Sequence, residues 1–331
     1  MIFHPPILAL VLVSTLSAAL MLWASVFALQ LLRRWDLASG SEIQIALEKR
    51  TYLVSTVLGF VMALELAALV LFAFNADRMA VMFVGAMCAV GTLNASPFGF
   101  PALFAKLGLF FASALWLVVN HADGKGRDYP LTRFKYGLLV AFAPLALLEA
   151  TLSLSYFLDL KADTVTSCCG KLFAPEKASL GGEMAGLDPK LALILLFGGL
   201  AATILSGFVA ARRGRGLPLF GAASAGFFAV AIAAIVSVIS LYVYEHPHHH
   251  CPFCLLKREY GYIGFALYIP LFAGTALGLS AGVLGALRTP DSLAAVMPEL
   301  TRRLVVVASL CFLLFGGLSA LAIARSNLVL L

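Results

Sequence analysis

The sequence predicts an all-α integral membrane protein, a bundle of about eight transmembrane helices with one short broken or re-entrant helix at 80–93 and the N-terminus outside. Three observations predict it. Of 331 residues, 62% are hydrophobic and 12% charged, with a mean hydropathy of +0.98. A soluble chain sits near half apolar and a quarter charged, so lipid must be the solvent for much of this surface. Second, eight segments have the length and apolarity needed to cross the hydrocarbon as helix: 6–32, 52–74, 102–120, 136–158, 191–211, 217–243, 263–287 and 304–324. Third, the basic residues choose a topology. Eight spans with the N-terminus outside put 14 Lys and Arg on the inner side and 8 on the outer, whereas a ninth span at 80–93 gives 11 against 11.

The first segment has no basic n-region and is too long for a signal-peptide core, so it reads as a span. Segments 36–51 and 289–303 are amphipathic enough to lie at the inner interface. The stretch Ala80–Leu93 is short for a span and breaks off at Asn94-Ala95-Ser96-Pro97-Phe98-Gly99-Phe100-Pro101, a run rich in turn residues. No internal repeat or soluble domain interrupts the pattern, so 1–331 reads as a single transmembrane domain. Two outer loops, 159–190 and 244–262, are separated by two spans and therefore share a side. In a bacterial inner (cytoplasmic) membrane that side is the periplasm. The net charge of +6 comes from short clusters between spans, as topology and lipid headgroups require. It is not a nucleic-acid signal; the expected partner is the lipid bilayer. Nothing resembles a phosphate-binding loop, a nucleophile elbow or a paired-carboxylate hydrolase site.

The strongest chemical feature is Glu245-His246-Pro247-His248-His249-His250-Cys251-Pro252-Phe253-Cys254, directly before the seventh span. A C-x-x-C lets two thiolates hold one ion or close one disulfide. Imidazole and thiolate together suit copper or zinc, whereas magnesium and calcium want carboxylates. A c-type haem attachment needs His after the second Cys, and Leu255 stands there. The second feature is the vicinal pair Cys168-Cys169, on the same side. The candidate metal ligands are thus His246, His248, His249, His250, Cys251, Cys254, Cys168 and Cys169. A flexible His-rich loop beside structural disulfides is the plainer alternative.

Two cysteine pairs at the outer ends of a helical bundle resemble the layout of quinone-coupled disulfide-forming enzymes and of the vitamin K epoxide reductase family. There a C-x-x-C passes electrons between an outer thiol pair and a quinone. The resemblance covers the C-x-x-C and the presence of a second pair; those bundles are smaller and lack a His-His-His-Cys run. It implies that Cys251, Cys254, Cys168 and Cys169 would be redox-active, with quinone as cofactor.

Glu65 and Glu149 lie within spans. Carboxylates at bilayer depth face a bundle interior and mark functional sites, so both are candidates for an intramembrane relay, equally readable as protonated acids hydrogen-bonded in a core. Cys88, in the broken segment, joins them as a soft ligand, with Met87, for a permeating ion, although a lone Cys is most often apolar filler. Cys311 reads as packing. Three functions follow. The first is a periplasm-facing His/Cys site that binds or transfers a soft metal such as copper, in exchange with a periplasmic metal- or thiol-carrying protein. The others are a quinone-linked thiol-disulfide oxidoreductase and a non-catalytic complex subunit with disulfide-stapled outer loops.

Overall fold

A computed structural model of the chain describes residues 4–36, 41–126, 128–161, 165–166, 180–288 and 291–330. Cys168 and Cys169 lie outside the described residues. Within them the chain is helical, with no strand and one parallel bridge, between Val84 and Val165.

Among the described residues, eight helices are long and apolar enough to cross a membrane. The first, α1, is Pro5–Arg34; Pro5 opens it with a φ already suited to a helix, and Arg33 and Arg34 close it against the negative end of its dipole. Helix α2, Glu42–Arg78, begins at Ser41, whose hydroxyl accepts from the Gln44 amide at 3.4 Å. It therefore starts ten residues before the apolar stretch, and the amphipathic run expected at the interface forms its first turns. Residues Met79–Met82 continue it as a 3-10 turn. The helix expected over 80–93 is divided: Phe83 is extended, Gly85 takes φ +88, and only Ala89–Asn94 resumes as the six-residue α3. A left-handed residue ends a right-handed helix, and glycine takes that conformation without penalty.

Then come α4, Gly99–Asp123, and α5, Thr132–Asp159. After the short α6, Leu180–Ala185, helix α7 spans Pro189–Arg213, capped by the Asp188 carboxylate on the Leu191 amide at 3.0 Å and ended by Gly214 at φ +62. Helix α8, Leu217–Tyr244, contains a π-helical turn at Ile235–Ile239. Helix α9 is Ile263–Ala286 and α10 is Met297–Arg325. The second amphipathic run thus divides between a 3-10 turn at Asp291–Leu293 and the start of α10.

The helices fall into two compact units. In the first, α1 packs on α2 and α5, and α4 packs on α2 and α5. Met21, Leu58, Met62, Leu109, Trp116 and Tyr136 fill its core, where the Tyr136 hydroxyl donates to the Thr51 carbonyl at 3.1 Å. In the second, α8 packs against α7 and α9, and α10 adds Val305, Ala308, Phe312 and Phe315 around Phe220 and Phe227. The close approach of α8 and α9 depends on glycine: a Cβ on Gly221 would lie 2.8 Å from the Gly282 Cα. Without a hydrophobic force between helices in lipid, such small-residue contacts supply packing. Phe60, Ile194, Leu219, Ile269 and Leu310 stand exposed on the outer faces, as lipid-facing side chains must.

Candidate functional site

In the second unit, the sulfurs of Cys88, Cys251 and Cys254 all lie within 4.8 Å of one another, and those of Cys88 and Cys251 are 3.5 Å apart. All three residues are buried. A disulfide needs about 2.05 Å, so at 3.5 Å these two sulfurs are in contact but not bonded.

The C-x-x-C is held by its surroundings. Helix α8 stops because Glu245 takes φ 51, returning its amide to the Leu241 carbonyl. The chain turns through His246–His249, with the His249 amide on the His246 carbonyl at 3.3 Å, and enters the C-x-x-C at once. The Tyr244 hydroxyl donates to the Cys251 carbonyl, and the Tyr268 hydroxyl of α9 donates to the Pro252 carbonyl at 2.7 Å. Cys254 then opens a 3-10 turn whose carbonyl accepts the Lys257 amide at 3.0 Å. Two tyrosines from two helices thus fix consecutive carbonyls of the motif.

Cys88 arrives from the connection between α2 and α4. Its segment is pinned by Thr166, whose amide donates to the Val84 carbonyl at 3.0 Å and whose hydroxyl donates to the Gly91 carbonyl at 2.8 Å. A side chain at Gly85 would run into the Thr166 carbonyl. The Lys257 ammonium donates to the Met87 carbonyl, tying the Cys88 segment to the C-x-x-C loop.

The histidines do not join the sulfurs. His250 is buried and its Nδ1 faces the Val236 carbonyl at 3.0 Å. A carbonyl can only accept, so Nδ1 carries the proton. Val236 lies in the π-helical turn, where the regular hydrogen-bond ladder of α8 is interrupted. Burial pushes the His250 imidazole below its usual range, helped by His248 and His249 and opposed by that hydrogen bond. His249 stacks on Tyr244 with ring centroids 4.2 Å apart. His246 and His248 are exposed. Burial, and then the Cys254 thiol, push the Tyr260 phenol upward.

Cys88 therefore groups with the C-x-x-C rather than with the intramembrane acids, and Met87 turns its side chain outward, 71% exposed. Cys311 is partly buried on α10, outside the cluster.

Glu65 and Glu149 sit together in the first unit, joined by a residue whose role was not read from the sequence. The Lys106 ammonium lies 2.8 Å from Glu149 Oε1 and 3.8 Å from Glu65 Oε2, all three side chains fully buried. Glu149 Oε1 also accepts from Ser153 at 2.6 Å and Ser14 at 3.3 Å, while the Ser14 hydroxyl accepts from Lys106 at 3.2 Å. Both Glu65 oxygens lack a hydrogen-bond partner among the described residues. A lysine inside an apolar span was the available signal, since a charge there costs roughly 2.5–3.5 kcal/mol on insertion scales and calls for a partner. A separate pair, Lys135 and Asp123, is buried at 2.7 Å, with Asp123 also accepting from the Leu131 amide at 2.8 Å and Thr132 at 3.1 Å.

Comparison of the chain with family models, with curated proteins and with solved structures finds no match.

Proposed function

We propose that this chain is a multi-pass membrane protein that binds a soft metal ion such as copper(I) through Cys88, Cys251 and Cys254, and transfers it to or from a carrier protein at the periplasmic face of a bacterial inner membrane. The observation that carries the reading is the convergence of three buried sulfurs within 4.8 Å. A metal with sulfur ligands at about 2.3 Å holds those sulfurs about 3.8–4.0 Å apart, in tetrahedral or trigonal array. The Cys88–Cys251 separation of 3.5 Å and the 4.8 Å limit bracket that value. Three thiolates suit copper(I), which prefers soft donors, whereas structural zinc takes four ligands. The exposed His246 and His248 then serve first capture, ahead of the buried sulfurs. Span parity supports a common side: if all eight helices cross, the connections after the second, fourth and sixth spans share one face. Cys88 belongs to the first of these and the C-x-x-C to the last. The basic-residue asymmetry makes that face the outer one, with the N-terminus beside it.

The test is a titration of the reduced, purified protein with copper(I) against a competing chelator. One ion per chain is expected, with affinity reduced more than about 100-fold in Cys88→Ser and in Cys251→Ser, beyond the usual cost of losing a supporting outer partner. Unchanged stoichiometry and affinity in Cys251→Ser/Cys254→Ser would remove the reading.

One observation favours a second reading, thiol-disulfide exchange: Cys88 Sγ is already in contact with Cys251 Sγ. Oxidation of two thiols to a disulfide would release two electrons and two protons, which a quinone takes up to become a quinol. The vicinal pair Cys168-Cys169, outside the described residues, is the exchange partner that the sequence offers. Alkylation trapping in cells separates the readings: cycling between thiol and disulfide supports exchange, and permanently reduced, metal-protected cysteines support binding.

A further inference from the structure

The first unit buries two carboxylates against one ammonium. If all three groups were ionised, the cluster would carry one net negative charge inside the bundle. Lys106 and Glu149 are the charged groups that face Glu65. Helix α1 contributes the Ser14 hydroxyl to Glu149 and the Ser17 hydroxyl beside Glu65, and α5 adds Ser153. Among the described residues of the unit, Lys135 is also a buried cation and is held by Asp123 at 2.7 Å.

The two acids are not equivalent. Glu149 Oε1 receives the lysine and two hydroxyls at 2.6–3.3 Å, charge-assisted contacts of the short, strong kind. Glu65 has the ammonium at 3.8 Å and the Ser17 hydroxyl of α1 beside it, but neither of its buried oxygens makes a hydrogen bond within 3.5 Å. A carboxylate so placed is strongly disfavoured, and protonation is the route by which a buried acid avoids that penalty.

We infer that Glu65, Lys106 and Glu149 form a membrane-embedded proton-binding site, in which Glu65 carries one exchangeable proton beside the Lys106–Glu149 ion pair. The step is acid–base alone: Glu65 releases or takes up one proton, and no electron moves. Because both acids lie against one lysine, a change at Lys106 alters the proton count of the whole cluster.

Infrared spectroscopy of the intact protein in lipid nanodiscs tests this. At neutral pH the wild-type chain should give a protonated-carboxyl band that shifts when glutamate is labelled with carbon-13 at its side-chain carboxyl, and shifts again in heavy water. The band should vanish in Glu65→Gln and in Glu149→Gln, since either leaves one acid for one lysine, and should roughly double in Lys106→Met. Glu65→Asp should restore a band that no longer answers the glutamate label. The labelled wild-type protein needs no substitution: absence of a label-shifted band there, or a band indifferent to heavy water, overturns the inference. So does a band that persists at full strength in both folded glutamine variants.

Discussion

The two helical units solve burial differently. The first encloses full charges: Glu65, Lys106, Glu149, Asp123 and Lys135 are all buried in it. Among the described residues, the second buries no Asp, Glu, Lys or Arg; its buried polar side chains are hydroxyls and His250. Most of those hydroxyls return to their own helix, as Ser224, Ser240, Thr275, Ser280 and Ser319 each do to the carbonyl one turn back. The difference assigns the chemistry. In the first unit the charged groups sit along the spans, where an ionised side chain needs a partner. In the second the spans are packing, tight enough for glycine to touch glycine, and the reactive sulfurs are carried by connections at the helix ends.

Substitutions can break this contrast, from large effects to small. Lys135→Met leaves Asp123 buried with only neutral donors. Removing one partner of a buried pair costs about 3–5 kcal/mol, to be read as lowered stability by unfolding in detergent. Lys106→Met should cost less, because two neighbouring acids can take protons; an equal loss would count against the proton site. Cys251→Ser should weaken copper(I) binding by more than about 100-fold, close to 3 kcal/mol, while leaving the metal-free protein nearly as stable as before. In the second unit, Gly278→Leu drives a side chain into Ser224 of α8. Overpacking of this kind costs about 1–3 kcal/mol, visible as a lower melting temperature with copper stoichiometry intact in the folded fraction. Tyr268→Phe removes the hydrogen bond to the Pro252 carbonyl, worth about 0.5–1.5 kcal/mol, and should weaken copper binding by no more than tenfold. His246→Ala and His248→Ala, both on exposed side chains, should change stability by less than about 0.5 kcal/mol. They should slow copper uptake without altering the final stoichiometry; an altered stoichiometry would return the imidazoles to the ligand set.

Much of the fold was legible because apolar length is written locally. Each span could be counted along the chain, and Ser41, Asp188 and Gly214 stop or start helices through contacts within a few residues. The start of α2 was less visible, since residues 42–51 are polar on one face and hydropathy reads only where the apolar run begins. The broken segment before Asn94 was visible through its glycines and prolines, but not its division into a 3-10 turn, an extended residue and a short helix. That division depends on Thr166, more than 70 residues away. The C-x-x-C was equally plain as a motif. Its third sulfur was not, because Cys88 stands 163 residues from Cys251 and only tertiary packing joins them. Adjacency suggested that the histidines were ligands, yet His250 is turned to the Val236 carbonyl by a π-helical turn that leaves no trace in residue spacing. Glu65 and Glu149 drew attention as charges in spans. The link between them is Lys106, 43 residues before Glu149, whose ammonium lies against both acids.

The central claim is that Cys88, Cys251 and Cys254 together hold one soft ion. X-ray absorption at the copper edge, on reduced protein loaded with one equivalent of copper(I), tests it most directly. A shell of three sulfurs at about 2.3 Å is expected, reduced to two when Cys88 becomes Ser. A shell of nitrogen donors from the histidine run, or a three-sulfur shell unchanged in Cys88→Ser, would contradict it.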